Sequence, residues 1–153
     1  MPHIHEKIDY AADVYIVNEG AVLLRMHEKY NRWFPPGGHV ELDEDFAEAA
    51  IREAKEETGL DVLLLGEEPA VMDENEREVR VPYFINRHRI NEVHEHISFE
   101  YFGTSDSRDL NPAEGEKRDG FKWFTEEELV DPQYGVDARV AHYAKAALIA
   151  ATK

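Results

Sequence analysis

The chain has 153 residues, 42% of them hydrophobic and 33% charged, with a formal net charge of −16. That size suits one ordinary domain with a real core, and the negative balance argues against a nucleic acid polymer as partner, because a polyanion needs a basic face. Cysteine is absent, which excludes thiol catalysis, disulfides and Cys-based zinc sites.

The opening segment, MPHIHEKIDY, has no apolar signal core, and no apolar run approaches membrane-spanning length. The expectation is a cytoplasmic protein with no membrane partner. No repeat, low-complexity tract or linker divides the sequence, so residues 1–153 read as a single domain.

Ala12 to Val17 and Ala21 to Met26 are β-type runs joined by Asn18-Glu19-Gly20, a hairpin turn signal. In the second run Val22, Leu24 and Met26 share one face, and Ala21, Leu23 and Arg25 share the other. Arg25 is a candidate phosphate contact; a solvent-facing strand arginine is the plain alternative. Tyr30, Trp33 and Phe34 then precede a Pro35-Pro36-Gly37-Gly38 loop. Aromatics there either stack on a nucleobase or close a core edge, and Trp33 is carried forward as a candidate substrate contact.

From Gly37 to Leu60 the chain carries eight carboxylates, Glu41, Asp43, Glu44, Asp45, Glu48, Glu53, Glu56 and Glu57, against only Arg52 and Lys55. Asp45 followed by Glu48 forms a capping-box pattern that predicts a helix from Phe46 to Thr58, and Gly59 sits where a left-handed residue would end it. On a helical wheel Phe46, Ala47, Ala50, Ile51 and Ala54 make the buried stripe. Glu57 falls inside its margin, with Glu53 beside it and Glu56 one step further round. Like charges at that spacing destabilise a helix, and partial burial adds to the cost. The arrangement makes sense around a divalent cation such as Mg²⁺, which takes hard oxygen ligands. A solvated acidic face is the bland alternative.

Further along, Asp61 to Leu65 reads as a buried strand and Glu67 to Val79 as loop. Val81 to His88 and His96 to Thr104 read as two strands around a hairpin loop. On the later one Ile97, Phe99 and Tyr101 face one way, and His96, Ser98 and Glu100 the other. That second face lines a cleft or is plain surface; Glu100 is carried forward as a substrate contact. His94 and His96 have the chemistry of transition-metal ligands, but two histidines without a third do not make a zinc site. Asp106 to Gly120 is polar loop and Phe121 to Phe124 a short strand. Thr125 with Glu128 is a second capping box opening a short helix, and Asp137 to Ala150 is a terminal helix packed through Val140, Tyr143, Ala144, Ala147 and Leu148.

The string Gly38, five residues, Glu44, seven residues, then Arg52-Glu53-Ala54-Lys55-Glu56-Glu57-Thr58-Gly59-Leu60 resembles the Nudix box in full, with Ala54 its one soft position. The resemblance implies an α/β fold, the Nudix-type α/β/α sandwich with a mixed β-sheet. It implies a Mg²⁺-dependent pyrophosphohydrolase, with Mn²⁺ as a substitute, cleaving the diphosphate linkage of a nucleoside diphosphate linked to another group. Glu56 and Glu57 would then be metal ligands, Glu53 the ligand or general base, and the carbonyl of Gly37 or Gly38 an additional ligand. Arg52 would orient a box glutamate by ion pairing. Glu44 would support the loop, join the outer metal shell or face the substrate. In the family a loop before a tryptophan often adds a glutamate to the metal site, and here Glu114 and Glu116 occupy that neighbourhood before Trp123. The alternative class is a catalytically silent Nudix-fold module that senses a nucleotide. Expected partners are a nucleoside-diphosphate-type small molecule and, left open, a second copy in a homodimer.

Overall fold

The computed structural model describes residues 7–153, so the first six residues of the segment read above for a signal lie outside the description. The first strand, β1 (Ile8–Asn18), turns through Glu19 and Gly20, both at positive φ, into β2 (Ala21–His27). That turn is the one announced by Asn18-Glu19-Gly20. Next come β3 (Arg32–Phe34), β4 (Gly37–His39), α1 (Phe46–Thr58) and a two-residue β5 (Leu63–Leu64). The second half holds β6 (Phe84–Arg89), β7 (Glu95–Thr104), β8 (Phe121–Phe124), a 3₁₀ turn at Glu128–Val130, and α2 (Ala138–Ala150).

The strands form one mixed sheet. Its path runs β3-β2-β1-β7-β5, with β4 also paired to β1, β6 to β7 and β8 to β2. β1 and β7 run parallel over ten register pairs, from Ile8 opposite Glu95 to Val17 opposite Thr104. Because strand residues alternate faces, β1 feeds two cores. Ala12, Val14 and Ile16, with Leu23 and Tyr101, pack against α1. Tyr15 and Val17, with Val22, Leu24 and Phe124, pack against α2. The helices therefore cover opposite faces of one sheet, which is the expected α/β/α sandwich.

The helix α1 begins with the full capping box: Glu48 N–H donates to Asp45 Oδ1 at 2.9 Å and Asp45 N–H donates to Glu48 Oε2 at 2.8 Å. It ends at Gly59, φ 76°. Several expectations need correction. Ile51 is 42% exposed, and the buried stripe is instead Ala47, Ala49, Ala50, Ala54 and Thr58. Small side chains let the helix lie close to β1, and the closest face is the alanine face. The run 61–65 is not a buried strand: only Leu63–Leu64 pairs, at a sheet edge, with Leu63 67% exposed. β6 starts at Phe84, two residues after Pro82, which has no N–H to give a ladder. Thr125 and Glu128 do make the reciprocal capping-box bonds, but they open a 3₁₀ turn. Among the described residues no helix is long and apolar enough to cross a membrane.

Candidate active site

The acidic helix and the glycine loop meet because β4 pairs with β1. Gly37 lies opposite Asp13 and Gly38 opposite Ala12. At this point the backbone must come close to carboxylates. A Cβ on Gly38 would stand 2.5 Å from the Glu53 carboxylate, and one on Gly37 would collide with the Asp13 carboxylate. Only glycine leaves that room. The Gly37 N–H donates to Glu57 Oε2 at 3.1 Å. β4 thus presents an amide to Glu57, where the family resemblance implied a carbonyl toward a metal.

Two arginines hold the cluster. Arg25, on β2, has Nη1 at 3.8 Å from Glu57 Oε1 and 4.0 Å from Glu116 Oε2. The strand arginine read as a phosphate contact is committed first to carboxylates. Arg52 is a hub. Its Nε and Nη2 donate to the two Glu44 oxygens at 2.9 and 2.8 Å. Its Nη1 donates to Glu53 at 3.0 Å and Glu56 at 3.2 Å, and Nη2 also reaches the His39 carbonyl at 3.1 Å. Glu44 is therefore a support of the loop: besides Arg52 it accepts the Glu41 N–H at 2.9 Å. Its carboxyl is held below the ordinary value, chiefly by the Arg52 hydrogen bond. It does not reach the cavity described next.

Burial sets the acidity of the rest. Glu57 is pushed up to about 7 because desolvation outweighs the Gly37 amide and Arg25. Glu53 is raised for the same first reason, against the pull of Arg52. In the helix both carboxylates are held ready to take either a proton or a cation. An oxygen-only donor set at that spacing, seated against a backbone with no Cβ, fits Mg²⁺ chemistry.

A cavity of about 670 Å³ opens beside this cluster. Glu57 and Glu116 form part of its wall; Glu53 and Glu56 do not. Tyr30 and Phe34 line it, but Trp33 does not. The Trp33 indole packs edge-on against Phe124 at 4.8 Å and donates to the Tyr134 carbonyl at 2.9 Å. It closes the core edge on the α2 side, the other reading the sequence offered, and does not face the cavity.

The far wall carries Glu100, which the sequence offered as a cleft residue, together with Asp13, Arg139 and His88, which sequence reasoning passed over. Glu100 is 4% exposed; Asn86 donates to one oxygen at 2.7 Å and the other, Oε2, has no partner among the described residues. Desolvation raises both Asp13 and Glu100 well above the ordinary carboxylate range, and each is further affected by the other or by Arg139. Burial pushes His88 down to about 4, so it is a neutral hydrogen-bonding group near pH 7. A signal for Asp13 exists in the sequence: it is the one carboxylate inside the apolar run AADVYIV, and alternation puts it on the face opposite Ala12 and Val14.

The NUDIX domain family matches residues 7–144. A solved hydrolase of the NUDIX family from Clostridium perfringens is 32% identical over 92% of this chain and 96% of its own, with a TM-score of 0.80. The MutT protein of Methanosarcina mazei is 18% identical and shares the fold, with a TM-score of 0.67 over 99% of this chain and 100% of that one. The m7GpppN-mRNA hydrolase NUDT17 of Xenopus laevis is 44% identical over 57 residues, 35% of this chain. That match spans only 19% of the Xenopus protein, so the chain covers about a fifth of that relative's length.

Proposed function

This chain belongs to the NUDIX family of hydrolases, which act on phosphoric anhydrides, and from that premise we propose that it is a Mg²⁺-dependent pyrophosphohydrolase. The substrate class is a nucleoside diphosphate linked to another group, and residues 1–153 act as one domain. The observation that carries this reading is the convergence of Glu53 and Glu57 on Gly38 and Gly37 at the rim of a cavity of about 670 Å³. That volume suits a nucleotide-sized ligand.

Glu53, Glu56, Glu57 and Glu116 would hold the cation, with Mn²⁺ able to replace Mg²⁺. When bound, the cation neutralises phosphate oxygens and lowers the pKa of a coordinated water. The protein's own groups do the positioning. The Gly37 amide and Arg25 fix the Glu57 carboxylate, and Arg52 aligns Glu53 with Glu56. Glu53, whose carboxyl burial raises above its ordinary value, serves either as one of those ligands or, in place of that, as the general base. Beyond the phosphates, Glu100 offers a buried oxygen that a base or sugar donor would satisfy, Asp13 lies on the same wall, and Tyr30 and Phe34 offer ring faces.

The Xenopus relative is an m7GpppN-mRNA hydrolase, but the matched segment covers only about a fifth of that protein and does not extend its substrate to this chain. The net charge of −16 also disfavours a long polyanion. The test is a panel of nucleoside-diphosphate compounds with Mg²⁺, reading phosphate release with and without added inorganic pyrophosphatase. Turnover of at least one compound, lost on dialysis against chelator and restored by Mg²⁺, is expected. Full activity in excess chelator, or tight binding with no turnover across the panel, would overturn the proposal; the second result would mark a sensor module.

A further inference from the structure

A second donor set lies outside the carboxylate cluster. Asp9 on β1, His39 on β4, His94 just before β7, and His96 on β7 turn their ligand atoms toward one point, all within 4.8 Å of one another. His96 Nε2 is 3.1 Å from His94 Nε2 and 3.3 Å from His39 Nε2. Asp9 Oδ2 is 3.2 Å from His94 Nε2 and 3.9 Å from His39 Nε2.

Hydrogen bonding alone does not account for this arrangement. A ring nitrogen carries either one proton or one lone pair, never both. His96 Nε2 would have to serve two imidazole neighbours from a single position. A cation at the centre takes one lone pair from each nitrogen and satisfies all of them. At metal–nitrogen lengths of about 2.0 to 2.1 Å the edge of a tetrahedron is about 3.3 to 3.4 Å; the His96–His94, His96–His39 and Asp9–His94 separations lie near that length, and the 3.9 Å between Asp9 and His39 closes by rotation of two exposed side chains.

We propose that Asp9, His39, His94 and His96 form a four-coordinate site for a divalent transition ion of the zinc type. Imidazole-rich ligands select such ions, whereas the oxygen-only cluster of α1 suits Mg²⁺. Four protein ligands fill a tetrahedral shell and leave no open position, so the site is structural. It ties together β4, β1 and β7, and His39 is the residue directly after Gly37 and Gly38 on β4. The clamp therefore fixes the strand against which Glu53 and Glu57 rest. The inference stands on these four residues and does not depend on the hydrolase reading.

The test uses the full, tag-free chain and Co²⁺ as a spectroscopic substitute for Zn²⁺, with Mg²⁺ in excess throughout. One equivalent of Co²⁺ should give the intense visible absorption of a four-coordinate ion, and one equivalent of Zn²⁺ should bleach it. His39→Ala truncates an exposed ring and spares the core; it should weaken Zn²⁺ binding by more than about tenfold, the least that losing even an outer-sphere partner costs a metal site. His96→Ala should do the same, and Glu57→Gln should leave binding and spectrum unchanged. A weak six-coordinate spectrum, binding unaffected by His39→Ala and His96→Ala, or binding lost in Glu57→Gln would each overturn the proposal.

Discussion

Replacing Glu57 by Gln is the sharpest single perturbation of the helix. Glutamine keeps an acceptor for the Gly37 amide and removes the charge. Moving the carboxyl from its ordinary 4.5 to about 7 corresponds to about 3 kcal/mol against the ionised form, at about 1.36 kcal/mol per pKa unit. The sign follows from proton binding. The folded protein holds this proton to higher pH than the unfolded chain, so stability falls as pH rises from about 4.5 and is lowest above about 7. Without metal, the variant should be more stable than wild type by up to about 3 kcal/mol at pH 8, and by only about 1 kcal/mol at pH 5. For a domain of this size that is a melting temperature about 6 to 12 °C higher at pH 8. Mg²⁺ at about 1,000 times its Kd would add about 4 kcal/mol to wild type and far less to the variant, closing or reversing the gap. The assay is thermal melting by circular dichroism of both proteins, in chelator and in Mg²⁺, at pH 5 and pH 8. A variant that melts below wild type in chelator at pH 8 would refute the reasoning. It would show Glu57 as a net stabilising partner of Arg25, 3.8 Å away.

Gly38→Ala should leave the fold intact but displace the Glu53 carboxylate, which a Cβ would approach to 2.5 Å; a loss of kcat of about 100-fold or more is expected, against a melting temperature changed by only a few degrees. Asp45→Ala removes the N-cap acceptor of α1 and should cost about 1 kcal/mol in urea unfolding, with activity retained. Gly59→Ala forces a Cβ into the Asn111 carbonyl at φ 76° and should lower stability by more than about 1 kcal/mol, a larger loss than Asp45→Ala. Glu100→Gln neutralises a buried carboxyl that burial raises; in chelator it should flatten the decline in stability with rising pH, read by urea midpoints between pH 5 and pH 8.

The helix, its caps and the acidic spacing were legible because each depends on neighbours a few residues away. Asp45 and Glu48 are a local pair, and Gly59 ends the helix through its own backbone. Register across the sheet is not local. Nothing in the spacing of Asp9, His39 and His96 says that β4 and β7 flank β1 and bring those side chains to one point. The same holds for Asp13 and Glu100, which meet through the parallel register of β1 and β7. Trp33 misled because an aromatic before a glycine loop suits a cavity and a core edge equally, and the choice was made by Phe124 on a strand remote in sequence. Ile51 misled because an apolar side chain near the edge of the wheel's stripe was read as part of it, while the sheet covers the side that holds the smaller Ala49.

The charge count of the site argues for a cation independently of any motif. Glu44, Glu53 and Glu56 share Arg52, and Glu57 and Glu116 share Arg25. Those are five carboxylates against two guanidiniums, a deficit of three charges when all are ionised. Exposed carboxylates tolerate such a deficit through water and salt. Here Glu44, Glu53 and Glu57 have side chains only 13%, 18% and 21% exposed, so solvent relieves little of it. The arginines are also not free to do more, since each already divides itself among several oxygens. The protein has two ways to restore balance: protonate Glu57, whose pKa is pushed up to about 7 chiefly by burial and further by Glu53 and Glu116, or accept divalent cations. Protonation helps only below neutral pH. A fold selected for stability alone would replace Glu57 with an apolar residue on its buried margin. Keeping the carboxylate there makes physical sense where bound cations supply the missing positive charge.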